Sequence, residues 1–139
     1  MIGNEEDFTA CLGFEIEGND ENLKELNIEG YYKMLEEVVK VYPNFKVIAT
    51  TLRTVKTATV NDWSAICYAD GKVHKGLELP GLEILDRVGG GDSFGAGLIY
   101  SLISGFDAQD CVEYAVAASV LKHSIEGDFN MVSVDEVKK

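Results

Sequence analysis

The chain has 139 residues, enough for one domain, and its 46% hydrophobic and 26% charged residues are the mix of an ordinary globular protein rather than a disordered one. Its formal net charge is −12, with nine acidic residues and one Lys among residues 1–29, a surface that nucleic acid or an anionic membrane would repel. Cys11, Cys67 and Cys111 are odd in number, widely spaced and without a Cys/His metal pattern, which argues against a disulfide scaffold or zinc site and for a reducing cytoplasm.

Met1-Ile2-Gly3 reads as the end of a strand, and Asn4 as an N-cap followed by acidic residues that suit a first helical turn. Residues 14–27 read as a loop with a short helix. Tyr31, Leu35, Val38, Val39 and Tyr42 recur at helical spacing, predicting a core-packed helix over 28–42 that Pro43 ends. Strands are expected at 45–50 and 63–68, with Asp70-Gly71 turning a hairpin into 72–74. A short strand over 82–85 precedes Gly89-Gly90-Gly91 and an apolar helix over 92–104, closed by Gly105. Asp107 caps a second helix reaching about Lys122, and Ser133 caps a final short one. This order is α/β, and the hairpin makes the sheet not wholly parallel. A sheet that lacks its upstream neighbours exposes an edge and apolar surface, which favours a homodimer. No stretch reads as a signal peptide or a bilayer span.

The segment Asp86-Arg87-Val88-Gly89-Gly90-Gly91-Asp92-Ser93-Phe94-Gly95-Ala96-Gly97 carries the chemistry. Consecutive glycines let backbone approach a ligand, and N–H groups at a helix N-terminus favour an anion. No Lys follows as a Walker A loop needs, and Phe94 stands where a dinucleotide or protein-kinase glycine loop needs its third Gly. Gly91-Asp92-Ser93-Phe94-Gly95 does fit G-x-S-x-G, with Ser93 as nucleophile and His123 as its base, but the two predicted helices between them leave no strand for a triad acid. Asp92 on local sequence alone is also a good helix cap.

The same segment resembles the C-terminal signature of the ribokinase (PfkB-type) carbohydrate kinases, in Gly89-Gly90-Gly91-Asp92, Ala96-Gly97 and Asp86. Arg87 departs from the broad family, and the string Asp86 to Phe94 looks like the 2-keto-3-deoxygluconate kinase branch. The resemblance implies a three-layer α/β/α ribokinase-like fold, of which residues 1–139 are the C-terminal nucleotide-binding and catalytic half, without the sugar-binding half and lid. It implies ATP-dependent phosphorylation of a sugar acid hydroxyl, with Asp92 as base and Gly89, Gly90 and Gly91 as an anion hole. Asn4-Glu5-Glu6-Asp7 is similar to an Asn-x-x-Glu element that places Mg²⁺ and phosphate, with Asp7 in the metal position. Thr50-Thr51-Leu52-Arg53 stands where the family has a Thr-Leu-Gly nucleotide loop after a strand. Thr51, Leu52, Arg53 and Lys56 are then candidates for phosphates, and the 70–71 hairpin with the 107–122 helix, including Val116, for adenine. Arg87 and Asp128, the latter in the branch-like Gly127-Asp128-Phe129-Asn130, are candidates for the substrate. A monovalent cation is a further candidate cofactor. A non-catalytic nucleotide-binding module is the alternative for this chain.

Overall fold

The computed structural model describes residues 1–18 and 27–139, so part of the 14–27 loop and its expected helix lies outside the described residues. Among the described residues five strands form one sheet: β1 (Ile2–Gly3), β2 (Ile48–Val55), β3 (Val60–Ala69), β4 (Lys72–Lys75) and β5 (Leu79–Glu83). β1 runs parallel to β2, and the other pairs are antiparallel. β3 is the spine: β2 flanks one side, while β4 and β5 share the other. Asp70 and Gly71 both take positive φ (52° and 82°), the two-residue turn whose twist matches antiparallel strands.

Strand alternation sorts β2 and β3 into two cores. Ile48, Leu52 and Ile66 face α1 (Ile28–Val41) and pack with Phe8, Tyr31 and Leu35. Ala49, Trp63, Ala65 and Cys67 face α2 (Gly90–Ile103) and α3 (Ala108–Lys122), packing with Phe94, Val112 and Val116. The result is the expected three-layer α/β/α arrangement. Tyr31, Leu35 and Val38 are buried as the helical spacing predicts, and the Asn27 side chain caps α1 by accepting from the Gly30 N–H at 3.3 Å. Such a cap is worth about 1 kcal/mol.

Several elements differ from expectation. β5 spans Leu79–Glu83 where a strand was expected over 82–85, and β3 starts at Val60 rather than at 63, because the two pair with each other from Val60↔Glu83. β2 continues through Thr50-Thr51-Leu52-Arg53, so these residues lie in a strand and not in a loop after one. The eight β2–β3 pairs, running out to Val55↔Asn61, explain this: the hairpin is long enough to absorb them. α2 begins at Gly90, because the left-handed turn at Gly89 already sets the chain on its helical path. After Asn4 comes a helical segment ending in a π-helical turn, Asp7–Cys11. A last short helix, α4 (Val134–Val137), starts at Ser133 with a complete capping box to Glu136. Among the described residues no helix is long and apolar enough to cross a membrane.

Candidate active site

A cleft of about 700 Å³ opens where the C-terminal ends of β1 and β2 meet the start of β3 and the N-terminus of α2. Ligands gather at such carboxyl ends in open α/β sheets. Of the residues singled out by sequence, Asn4, Asp7, Thr51, Arg53, Arg87, Gly91, Asp92 and His123 line it. Alternation places Thr51 and Arg53 on the cleft face and turns Leu52 away into the α1 core, where it is 3% exposed. Lys56 pairs with Asp62 at 2.7 Å on the hairpin surface. Val116 is fully buried in the core between the sheet and α3, where a Cβ on Gly76 would stand 3.0 Å from its Cγ2. Asp128 is exposed and meets the glycine segment through its backbone carbonyl.

The three glycines have three different reasons to lack a side chain. Gly89 holds φ +79° with the Asp128 carbonyl against it. A Cβ on Gly90 would lie 2.8 Å from Nε2 of His123. Gly91 has nothing within 4 Å of that position and is the one of the three that faces the cleft. The N–H of Ser93 closes the first turn on the Gly89 carbonyl at 2.9 Å. The N–H groups of Gly91 and Asp92 belong to that first turn, for which the helix itself offers no acceptor. They and the positive end of α2 form the anion-binding element, with Asp92 exposed beside them.

Across the cleft, Asn4 and Asp7 bind each other reciprocally: the Asn4 N–H donates to Asp7 Oδ2 at 2.7 Å and the Asp7 N–H to Asn4 Oδ1 at 3.2 Å. Asp7 Oδ2 is thereby occupied, and Oδ1 has no hydrogen-bond partner among the described residues. Gly3 makes room for this carboxylate, since a Cβ there would stand 2.8 Å from Asp7 Oδ2. The Tyr31 hydroxyl donates to Glu5 at 2.7 Å and steadies the same turn. Arg87 reaches over the cleft and donates to the Ala58 carbonyl at the hairpin tip.

The floor holds Asn61 and Trp63, which sequence reasoning did not single out, beside His123, which it named only as a hydrolase base. Asn61 is fully buried, and neither its amide nitrogen nor its oxygen has a partner among the described residues; the indole N–H of Trp63 is likewise unmatched among them. Asn61 and Trp63 are two apart on β3 and share the cleft face, a signal legible only once the start of that strand is known. His123 packs edge-on to Trp63 at 4.6 Å between centroids. Its Nδ1 lies 2.8 Å from the Ser119 carbonyl, and burial is the main cause that lowers its pKa.

Ser93 does not have the exposure of a nucleophile elbow. It is 6% exposed, does not line the cleft, and its Oγ accepts from Asn130 Nδ2 at 3.1 Å rather than meeting His123. The geometry therefore speaks against the G-x-S-x-G reading.

Residues 1–132 match the pfkB family of carbohydrate kinases. The fold is similar to the 2-dehydro-3-deoxygluconokinase of Thermotoga maritima, 45% identical with a TM-score of 0.88, the match covering 99% of this chain and 39% of that one. A PfkB family carbohydrate kinase of Listeria grayi is 28% identical with a TM-score of 0.78, over 98% of this chain and 38% of the other. The 5-dehydro-2-deoxygluconokinase of Clostridium perfringens is 31% identical over 81 residues, 56% of this chain and 23% of that enzyme. The chain thus spans less than half the length of each of these relatives.

Proposed function

Because the chain belongs to the pfkB family of carbohydrate kinases, we propose that it is the nucleotide-binding and catalytic part of an enzyme that transfers the γ-phosphoryl group of ATP to a hydroxyl of a sugar acid, 2-keto-3-deoxygluconate, giving the 6-phosphate. The observation that carries this reading is the convergence of an exposed Asp92, the Gly91 and Asp92 N–H groups, and two arginines on one cleft.

Phosphoryl transfer asks mainly for positioning and for stabilisation of charge on the transferring group. The donors at the start of α2 take the transferring oxygens, where removal of one such donor typically costs about 10²–10³ in rate. Asp92 accepts the proton of the attacking hydroxyl. Arg53 and Arg87 bind polyphosphate or the acid's carboxylate, which a guanidinium can hold in bidentate fashion. Mg²⁺ in such sites is held largely by the nucleotide's own phosphates with one or two carboxylates, and the available Asp7 oxygen next to Asn4 fits that demand. When bound, the ion neutralises charge on the phosphates. Asn4 and Asp7, locked to each other, keep that carboxylate aimed at the cleft.

Titrating the chain with Mg-ATP while following its melting temperature tests the nucleotide part. A ligand that binds only the folded form adds about 2.7 kcal/mol at a hundredfold excess over Kd. A cooperatively melting chain that shows no shift at saturating Mg-ATP sinks the nucleotide reading of this cleft. ADP formation by the full-length protein, dependent on 2-keto-3-deoxygluconate, tests the acceptor.

A further inference from the structure

Lys122 closes α3 and is fully buried, at 0% exposure. Its Nζ donates to the Ile125 carbonyl at 2.8 Å, the one hydrogen bond it makes among the described residues. An ammonium removed from water is costly unless charge or dipoles oppose it. No carboxylate lies within ion-pair distance of it among the described residues, where the pairs are Lys33–Glu17, Lys56–Asp62 and Lys75–Glu78. A Met or Leu would fill the same space without that cost.

What surrounds it gives the charge a use. Two loops meet at the end of α3, residues 84–89 and residues 123–128. The N–H groups of Leu85 and Asp86 both donate to the His123 carbonyl. Asp86 spans the junction, its Oδ1 accepting from the Val88 N–H at 3.0 Å and its Oδ2 from the Gly127 N–H at 2.8 Å. Those two hydrogen bonds first, and the positive charge of Lys122 after them, hold the Asp86 carboxyl below the usual carboxylate range. The Asp128 carbonyl then abuts Gly89, the turn from which Gly91 and Asp92 enter the cleft.

We infer that Lys122 is a built-in cation, a positioning residue whose buried ammonium holds the 123–128 loop at Ile125, where the Asp86–Gly127 hydrogen bond joins that loop to residues 84–89, and so fixes the turn that presents Gly91 and Asp92. Only the consequence for nucleotide affinity rests on the kinase reading; the cation itself does not.

The test is chemical rescue. Wild type, Lys122→Ala and Lys122→Met are melted in sodium chloride and in methylammonium chloride at equal concentration. Lys122→Ala leaves a space of the right size for an alkylammonium ion, whereas Met fills it. The Ala variant is expected to melt about 5 °C or more below wild type in sodium. Methylammonium should restore at least half of that loss, and should leave wild type and the Met variant unchanged. Equal effects of sodium and methylammonium on the Ala variant, or the same gain in the Met variant, overturn the proposal. Should the Ala variant not fold, ¹⁵N spectra of the wild type decide. A protonated, slowly exchanging Nζ signal assigned to Lys122 at neutral pH is expected, and a neutral amine there overturns the inference. Mg-ATP affinity should fall about tenfold in Lys122→Ala and return with methylammonium. A wild type that does not bind Mg-ATP would remove the kinase reading while the melts still decide the role of the ammonium.

Discussion

The Asp128 carbonyl oxygen lies 2.6 Å from where a Cβ on Gly89 would stand, and Gly89 already holds a left-handed φ. A side chain there meets both strain, of about 1–2 kcal/mol, and a backbone that cannot retreat freely. Gly91, two residues on, meets nothing. Gly89→Ala should therefore lower the melting temperature clearly. Gly91→Ala should hold it or raise it, since Ala is the better helix former by about 0.5–1 kcal/mol. The order reverses for function: a methyl group on Gly91 projects toward the cleft and should weaken Mg-ATP binding in a folded protein. Melting curves and calorimetric titrations of the two variants separate the roles, and equal melting temperatures would refute the assignment.

Asp92 sits in the first turn of α2, exposed and at the cleft wall. Its charge interacts favourably with the helix dipole by about 0.3–1 kcal/mol, so Asp92→Asn should cost little stability. It should also retain Mg-ATP binding, because the backbone donors are untouched. The full-length protein carrying it should lose roughly 10²–10⁴ in kcat, the usual worth of a positioned general base. A rate within tenfold of wild type would leave Asp92 with its interaction with the helix dipole alone, since Gly89 and not Asp92 is the N-cap of α2.

What was legible in the sequence follows from how local each signal is. Asp70-Gly71 specifies its turn from two adjacent residues, and the spacing of Tyr31, Leu35 and Val38 needs only one helix face; both were readable. The glycine segment was readable as an anion-binding helix start, but not the division of labour within it. Gly89 and Gly90 answer to Asp128 and His123, more than thirty residues away, and sequence cannot show those approaches. Leu52 was misplaced for a related reason. A loop would allow Thr51, Leu52 and Arg53 to act together, whereas a strand sends Leu52 to the opposite face. The length of β2 is set by its pairing with β3, not by its own residues. Asn61 and Trp63 escaped notice because an unmatched buried amide is a property of the packed site alone.

That amide gives a stability–function trade-off. A buried donor or acceptor without a partner costs about 1–3 kcal/mol, and replacing it by an apolar group of similar shape removes the cost. Asn61→Leu should raise the melting temperature of the ligand-free chain. It should also weaken Mg-ATP binding, because Asn61 borders the cleft in which the nucleotide is proposed to sit. A variant that is stabilised and binds as wild type does would show that Asn61 has no part in binding.

The cysteines differ in the same legible way. Burial pushes the Cys67 thiol up to about 12, and Cys111 is fully buried, while Cys11 is exposed. Thiolate is the reactive form. A chromogenic disulfide reagent should titrate a single fast thiol in the native chain, lost in Cys11→Ser, and three in denaturant. Fast reaction of two or more native thiols would contradict the packing around β3 and α3.

His123 predicts the acid side of the stability profile. Burial disfavours its charged form, so its folded pKa lies below the unfolded value of about 6.5. Above that value both states are neutral at this residue and the stabilisation is fully present. As pH falls below about 6.5 the unfolded chain takes up a proton that the folded chain resists, and stability declines down to the folded pKa. The carboxyls held low, among them Asp86 and Asp62, lose their contribution only at lower pH, below the usual carboxylate range. His123→Gln should therefore flatten the decline in melting temperature between neutral and mildly acidic pH and leave the steeper loss at lower pH in place. An unchanged slope in the variant would mean that His123 charges as readily when folded as when unfolded, against the burial that holds its pKa down beside Trp63.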